Sequence, residues 1–167
     1  AYPAHIAGEI HDFDPTQYMD RREARHMPLY AQYALAAAVQ AIEDSGLVMA
    51  NEDGDRLATA IGTGAGGVVM QAELGTRTLI EKGGQRVGPY VVIGSSPNMA
   101  AFYITKRFGI HGHNLTVTTA CAAGAQAIGE GMRLIREGIA DVVIAGGAES
   151  GITEVNLASL CALHALS

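Results

Sequence analysis

Apolar positions at helical spacing open the readable part of the chain. Leu29, Tyr33, Leu35, Val39 and Ile42 follow a 3.6-residue period, Pro28 stands where a helix begins, and Asp44-Ser45-Gly46 closes it. A short apolar strand is expected over 57–61, then a helix over 68–82 that stops at Gly83-Gly84. Residues 85–98, with Pro89 and Pro97, read as loop, and a further helix is expected over 98–108, ending at Gly109. Leu115 to Thr119 alternates and is β-branched, which predicts a strand. A helix follows from Cys121 to about Glu137. The continuous run Val142 to Ala145 predicts a strand buried on both faces, with a last helix near the end of the chain. Residues 1–20 read as irregular with a short strand near Ile6, and 50–56 as a polar loop. Strands alternating with helices imply an α/β fold with parallel strands.

Composition sharpens this picture. The chain is 49% hydrophobic and 17% charged, with 21 Gly and no Trp, so its core must interlock small side chains at close backbone distances. A net charge of −6 argues against nucleic acid as the main partner, because phosphate binding needs a basic field. No apolar stretch approaches the ~20 residues that span a bilayer. Cys121 and Cys161 form neither a disulfide framework nor a zinc motif, which points to a reducing, cytoplasmic setting. Ala1 in place of Met, and a chain that stops at Ser167 just after a helix, lead us to expect a longer gene product.

Two runs carry candidate chemistry. Gly62, Gly64 and Gly67 fit G-x-G-x-x-G between a strand and a helix. Glu81, at the distance of a ribose contact, sits inside the helix rather than at a strand end. A glycine-rich turn that admits close backbone approach is therefore favoured over a dinucleotide site. In the second run, Thr119-Ala120-Cys121-Ala122-Ala123-Gly124, a nucleophilic residue stands between a strand and a helix, as in a nucleophile elbow. A helix N-terminus favours thiolate over thiol, and its free N–H groups can stabilise an oxyanion. The small neighbours leave room for an acyl chain. Gly129 and Gly131 inside the helix each cost ~1 kcal/mol relative to alanine, which predicts a close-packed helix at the centre of the domain. A buried, inert cysteine is the competing reading for Cys121, and the one favoured for Cys161.

The segment Asn114 to Gly124, with Ala127-Ile128-Gly129 and Asp141-Val142-Val143-Ile144-Ala145-Gly146-Gly147-Ala148-Glu149, resembles the β-ketoacyl-acyl carrier protein synthases, most closely the elongating type II enzymes. Arg21 to Met27, Ile61 to Gly67 and Asn98-Met99-Ala100 support the resemblance, which covers essentially the whole chain. It implies a thiolase-like fold of αβαβα layers, of which residues 1–167 would be most of the first half, incomplete at both ends. It also implies a homodimer, with strand 115–119 pairing with its twin.

By the same resemblance, Cys121 takes an acyl group from the phosphopantetheine of acyl carrier protein. Decarboxylative condensation with a malonyl carrier then gives a 3-oxoacyl product, with no cofactor or metal of the protein's own. The Cys121 N–H would be one oxyanion donor. Ala65, Val91, Val92, Ile93 and Leu160 match acyl-pocket positions, each less bulky or less aromatic than is usual there. Arg21, Arg22 and Arg25 match positions that dock the acidic carrier protein, as long-range charge attraction favours. None of the six histidines matches a catalytic position, so residues 1–167 alone are not expected to condense substrates. His111-Gly112-His113 reads as a solvated loop rather than a metal site. A polyketide ketosynthase subunit, a thiolase-type thioester enzyme and a catalytically silent partner are the alternatives; the retained Cys121 speaks against the last.

Overall fold

The computed structural model describes residues 3–166. Ala1, Tyr2 and Ser167, which belong to the expected irregular opening and to the last residues of the chain, lie outside the described residues. Three parallel strands form the sheet: β1 (Leu57–Gly62), β2 (Asn114–Val117) and β3 (Val142–Gly147), in the order β2-β1-β3. Gly62 pairs with Val117 on one side and Gly147 on the other, so the carboxyl ends of all three strands finish level.

The period of two along β1 sorts its side chains between two faces. Leu57 and Ile61 join a core with Tyr30, Leu35 and Ile104 from helices α2 (Leu29–Ser45) and α5 (Met99–Phe108). Ala58 faces helix α6 (Ala123–Arg136), where it meets Leu134 and Ala140, with Leu115 and Val143 packed alongside. Alanines on this face let the helix backbone approach the sheet closely. Tyr30 is fully buried and its hydroxyl donates to the Ser96 carbonyl at 2.6 Å, fastening α2 to the loop before α5. Burial pushes that hydroxyl up to about 12, so it remains a donor at physiological pH.

The remaining helices are α1 (Arg21–Ala24), α3 (Val68–Lys82), α4 (Tyr90–Ser95) and α7 (Glu154–Ala162). Asp20 caps α1 by accepting from the Arg22 and Glu23 N–H groups at 2.7 and 3.3 Å. The bounds of α3 are those expected from the sequence.

Five expectations are corrected. No strand forms at Ile6, which is 78% exposed in an irregular segment that offers it no strand partner. Residues 85–98 are not all loop. They contain α4, a helix held by packing on α3, where Val91 lies against Gly75 and Gln71 against Gly94. The polar stretch 50–56 is largely two short 3-10 turns, the second capped by Asp53. The strand buried throughout is β1, not β3, because β1 is central and β3 lies at an edge.

Helix α6, finally, buries only the stripe Ala123, Ala127, Gly131 and Leu134. Ile128, Met132 and Ile135 are exposed on its other side. Close packing explains Gly131, which abuts Ala145 and Val143, but not Gly129, which faces open space.

Among the described residues, Leu134 is the one large fully buried side chain on the α6 face of the sheet. Leu134→Ala is expected to lower the unfolding free energy by about 2–4 kcal/mol in a denaturant titration. A loss below about 1 kcal/mol would show that this face is not a packed core.

Candidate active site

The candidate site lies where the three strands end. In open parallel sheets, the crevice beyond the carboxyl ends of the strands is where ligands bind. After β2, Thr119 turns out of the strand with φ −120° and ψ 45°. Ala120 then takes a left-handed conformation, φ +50°, which a side-chain-bearing residue seldom adopts. Cys121 follows in a single 3-10 turn (Ala120–Ala122), and α6 begins at Ala123. The expected elbow is present, with the 3-10 turn as a refinement: Cys121 precedes the α-helix rather than starting it. Its thiol is exposed. The Ala122 N–H donates to the Thr119 carbonyl at 3.1 Å, whereas the Cys121 N–H has no backbone acceptor among the described residues.

Close backbone contact fixes the height of this turn above the sheet. A Cβ added to Gly62 would collide with the Ala123 carbonyl and come within 2.6 Å of the Gly124 nitrogen. A Cβ on Gly147 would lie 2.8 Å from the Gly124 Cα. The start of α6 therefore rests directly on the ends of β1 and β3.

A cavity of about 710 Å³ opens beside Cys121, lined by Ala65, Ile128, Asn156 and Leu160 among others. Two expected pocket residues, Ala65 and Leu160, are thus brought to the cysteine. Val91, Val92 and Ile93 are not; they lie on α4, where Val92 is 78% exposed. No histidine lines the cavity.

The glycine run 62–67 behaves as a close-approach turn. The Gly64 and Ala65 N–H groups donate to Glu149 Oε2 at 2.8 and 2.9 Å, and the Gly66 N–H donates to Thr63 Oγ1 at 2.9 Å. Amides that a pyrophosphate would need are already taken. Thr63 Oγ1 in turn donates to the same Glu149 oxygen at 3.1 Å. Glu149 stands two residues past the end of β3 and lines the Cys121 cavity. In the sequence Glu149 stands out only as the last residue of the Asp141–Glu149 motif. The signal available in the sequence is its place as the first charged residue after an apolar strand; strand order then brings it to the same carboxyl end of the sheet as Cys121.

Arg21, Arg22 and Arg25 are exposed, and none is ion-paired among the described residues. Their acidic neighbour Glu23 is taken by Lys106 at 2.7 Å. The His26 ring stacks on Tyr90 with centroids 4.1 Å apart, which joins this basic segment to α4 and its Val91-Val92-Ile93 run. Cys161 is buried, as expected for a structural cysteine.

Fold and site together define a parallel α/β domain that presents a cysteine at an elbow above the sheet. The chain belongs to the beta-ketoacyl synthase family: the family model described as "Beta-ketoacyl synthase, N-terminal domain" matches residues 2–167. It is 40% identical over 166 residues to 3-oxoacyl-[acyl-carrier-protein] synthase 2 of Vibrio harveyi, covering 99% of this chain and 40% of that protein. The synthase 2 of Staphylococcus aureus (strain N315) is 37% identical, with the same coverage.

Among solved structures, a type II polyketide ketosynthase in complex with its acyl-carrier protein superposes with a TM-score of 0.83 at 26% identity. That match covers 91% of this chain and 44% of the other. The ishigamide ketosynthase/chain length factor superposes with a TM-score of 0.83 at 27% identity, covering 93% and 39%. The fold is thus thiolase-like, and the chain spans about 40% of the length of the curated relatives it matches.

Gly62→Ala is expected to displace the start of α6 and slow alkylation of Cys121 by about tenfold or more, measured by iodoacetamide labelling. Gly129→Ala, on the same helix but facing open space, is expected to leave that rate unchanged. Equal rates in both variants would contradict the close-contact account.

Proposed function

We propose that the complete protein is a 3-oxoacyl-acyl carrier protein synthase of fatty-acid biosynthesis, with Cys121 as its nucleophile. The observation that carries this reading is Cys121 itself: exposed at an elbow, with a backbone N–H that has no backbone acceptor among the described residues, beside a largely apolar cavity of about 710 Å³. The thiolate attacks the thioester carbonyl of an acyl carrier, and the Cys121 N–H donates to the oxyanion. The carrier thiol leaves, and the acyl group remains as a thioester on Sγ. A malonyl carrier then loses CO2. The resulting carbanion attacks the acyl carbonyl and expels the Cys121 thiolate, giving a 3-oxoacyl carrier two carbons longer.

The acid–base groups for decarboxylation belong to the rest of the complete protein, since this chain spans about 40% of the length of its curated relatives. Ala65 and Leu160 shape the acyl pocket. Val91, Val92 and Ile93, exposed on α4 or nearly so, reach the pocket of a second subunit in a homodimer paired through β2. Arg21, Arg22 and Arg25 meet the acidic carrier protein, their charge unspent on internal pairs. The reaction needs no cofactor of the enzyme's own, and the protein works in the cytoplasm. The fatty-acid reading is preferred to the polyketide one because relatives at 37–40% identity carry the former name, while the polyketide structures lie at 26–27%.

The complete protein, supplied with acyl and malonyl carriers, is expected to release CO2 and form the two-carbon-longer 3-oxoacyl carrier. Cys121→Ala should abolish that product. Full condensation by Cys121→Ala would overturn the assignment.

A further inference from the structure

We infer that Glu149 is a positioning residue for Cys121, acting through the turn 63–65; the inference rests on the reading of Cys121 as nucleophile. One carboxylate oxygen, Oε2, gathers three donors: the Gly64 N–H at 2.8 Å, the Ala65 N–H at 2.9 Å and the Thr63 hydroxyl at 3.1 Å. The other, Oε1, accepts from the Ser150 N–H at 3.1 Å. No lysine, arginine or histidine pairs with this carboxylate among the described residues. Among the described residues, neutral donors alone bond this exposed carboxylate, converging as in an anion-binding nest.

The clamped turn stands directly against the elbow. A Cβ at Gly64 would lie 3.1 Å from Glu149 Oε2 and 3.8 Å from the Ala120 Cα. Gly64 therefore lies close to both the carboxylate and the residue that aims Cys121, with little room for a side chain between them. Ala120 holds its left-handed conformation, φ +50°, against its own side chain. Such a conformation persists where its surroundings over-determine it. β2 fixes one side of the elbow and α6 the other. The turn held by Glu149 supplies the third side, and it faces the cavity where the acyl group is handed over.

The chemistry demands a carboxylate of this length. Glutamine keeps the shape but offers one acceptor oxygen with two lone pairs, and its NH2 would oppose an N–H donor. Aspartate is one methylene too short to reach the turn from the same backbone.

The test uses the complete protein and its Glu149→Gln and Glu149→Ala variants. Alkylation of Cys121 and of the buried Cys161 is followed by peptide mass spectrometry, alongside steady-state acyl transfer. Both variants are expected to alkylate and acylate Cys121 about tenfold more slowly, with KM for the acyl donor within about twofold of wild type. Cys161 stays protected in both. Wild-type rates in both variants would overturn the inference. So would deprotection of Cys161 along with the slowing in both, which would make Glu149 a general support of the fold. Slow, unselective labelling of the wild type itself would instead overturn the reading of Cys121 as nucleophile, and the inference with it.

Discussion

The structure depends on the direct seating of α6 on the ends of β1 and β3. Gly62 and Gly147 meet the Ala123–Gly124 backbone at separations that admit no side chain on either strand end. Everything at the site is referred to that contact. It sets how far the helix start stands above the sheet, and hence how far Cys121 projects into the cavity. Because β1 lies between β2 and β3, the segment leaving β2 must pass over its end to reach α6. The turn at Ala120 makes that passage in one left-handed residue. A larger side chain at Gly62 would require a longer, looser elbow.

The same geometry explains why the site is built from small residues. Ala65, Ala120, Ala123 and Gly64 line the cavity beside Cys121. Small groups leave the backbone, rather than side chains, as the source of hydrogen-bond donors beside Cys121, and backbone donors need no reorganisation when charge develops. The Glu149 carboxylate gathers the polar contacts of the turn 63–65 that lines the same cavity as Cys121. The basic segment on α1 stands apart from this chemistry and is tied to α4 by the His26–Tyr90 stack.

Much of this was legible in the sequence, for identifiable reasons. The helices α2 and α3 have strong punctuation, Pro28 and Gly46 for one and Gly67 and Gly83 for the other. The elbow was legible because a β-branched strand, a cysteine and a glycine-rich helix adjoin one another. Helix α4 was not legible, since Val91-Val92-Ile93 has strand propensity and follows Pro89; packing on α3 overrides that preference. The burial of β1 rather than β3 depends on strand order, which a local pattern does not carry. Glu149 was overlooked for the same reason: only the placement of β3 beside β1 brings it to the turn that faces Cys121.

The central claim is that Cys121 accepts an acyl group. Incubating the complete protein with an acyl-carrier thioester, then mapping its peptides by mass spectrometry, tests this directly. The account predicts one hydroxylamine-labile acyl adduct on Cys121 and none on Cys161. An adduct on Cys161, or an intact protein that stays unmodified while the thioester is consumed, would contradict it.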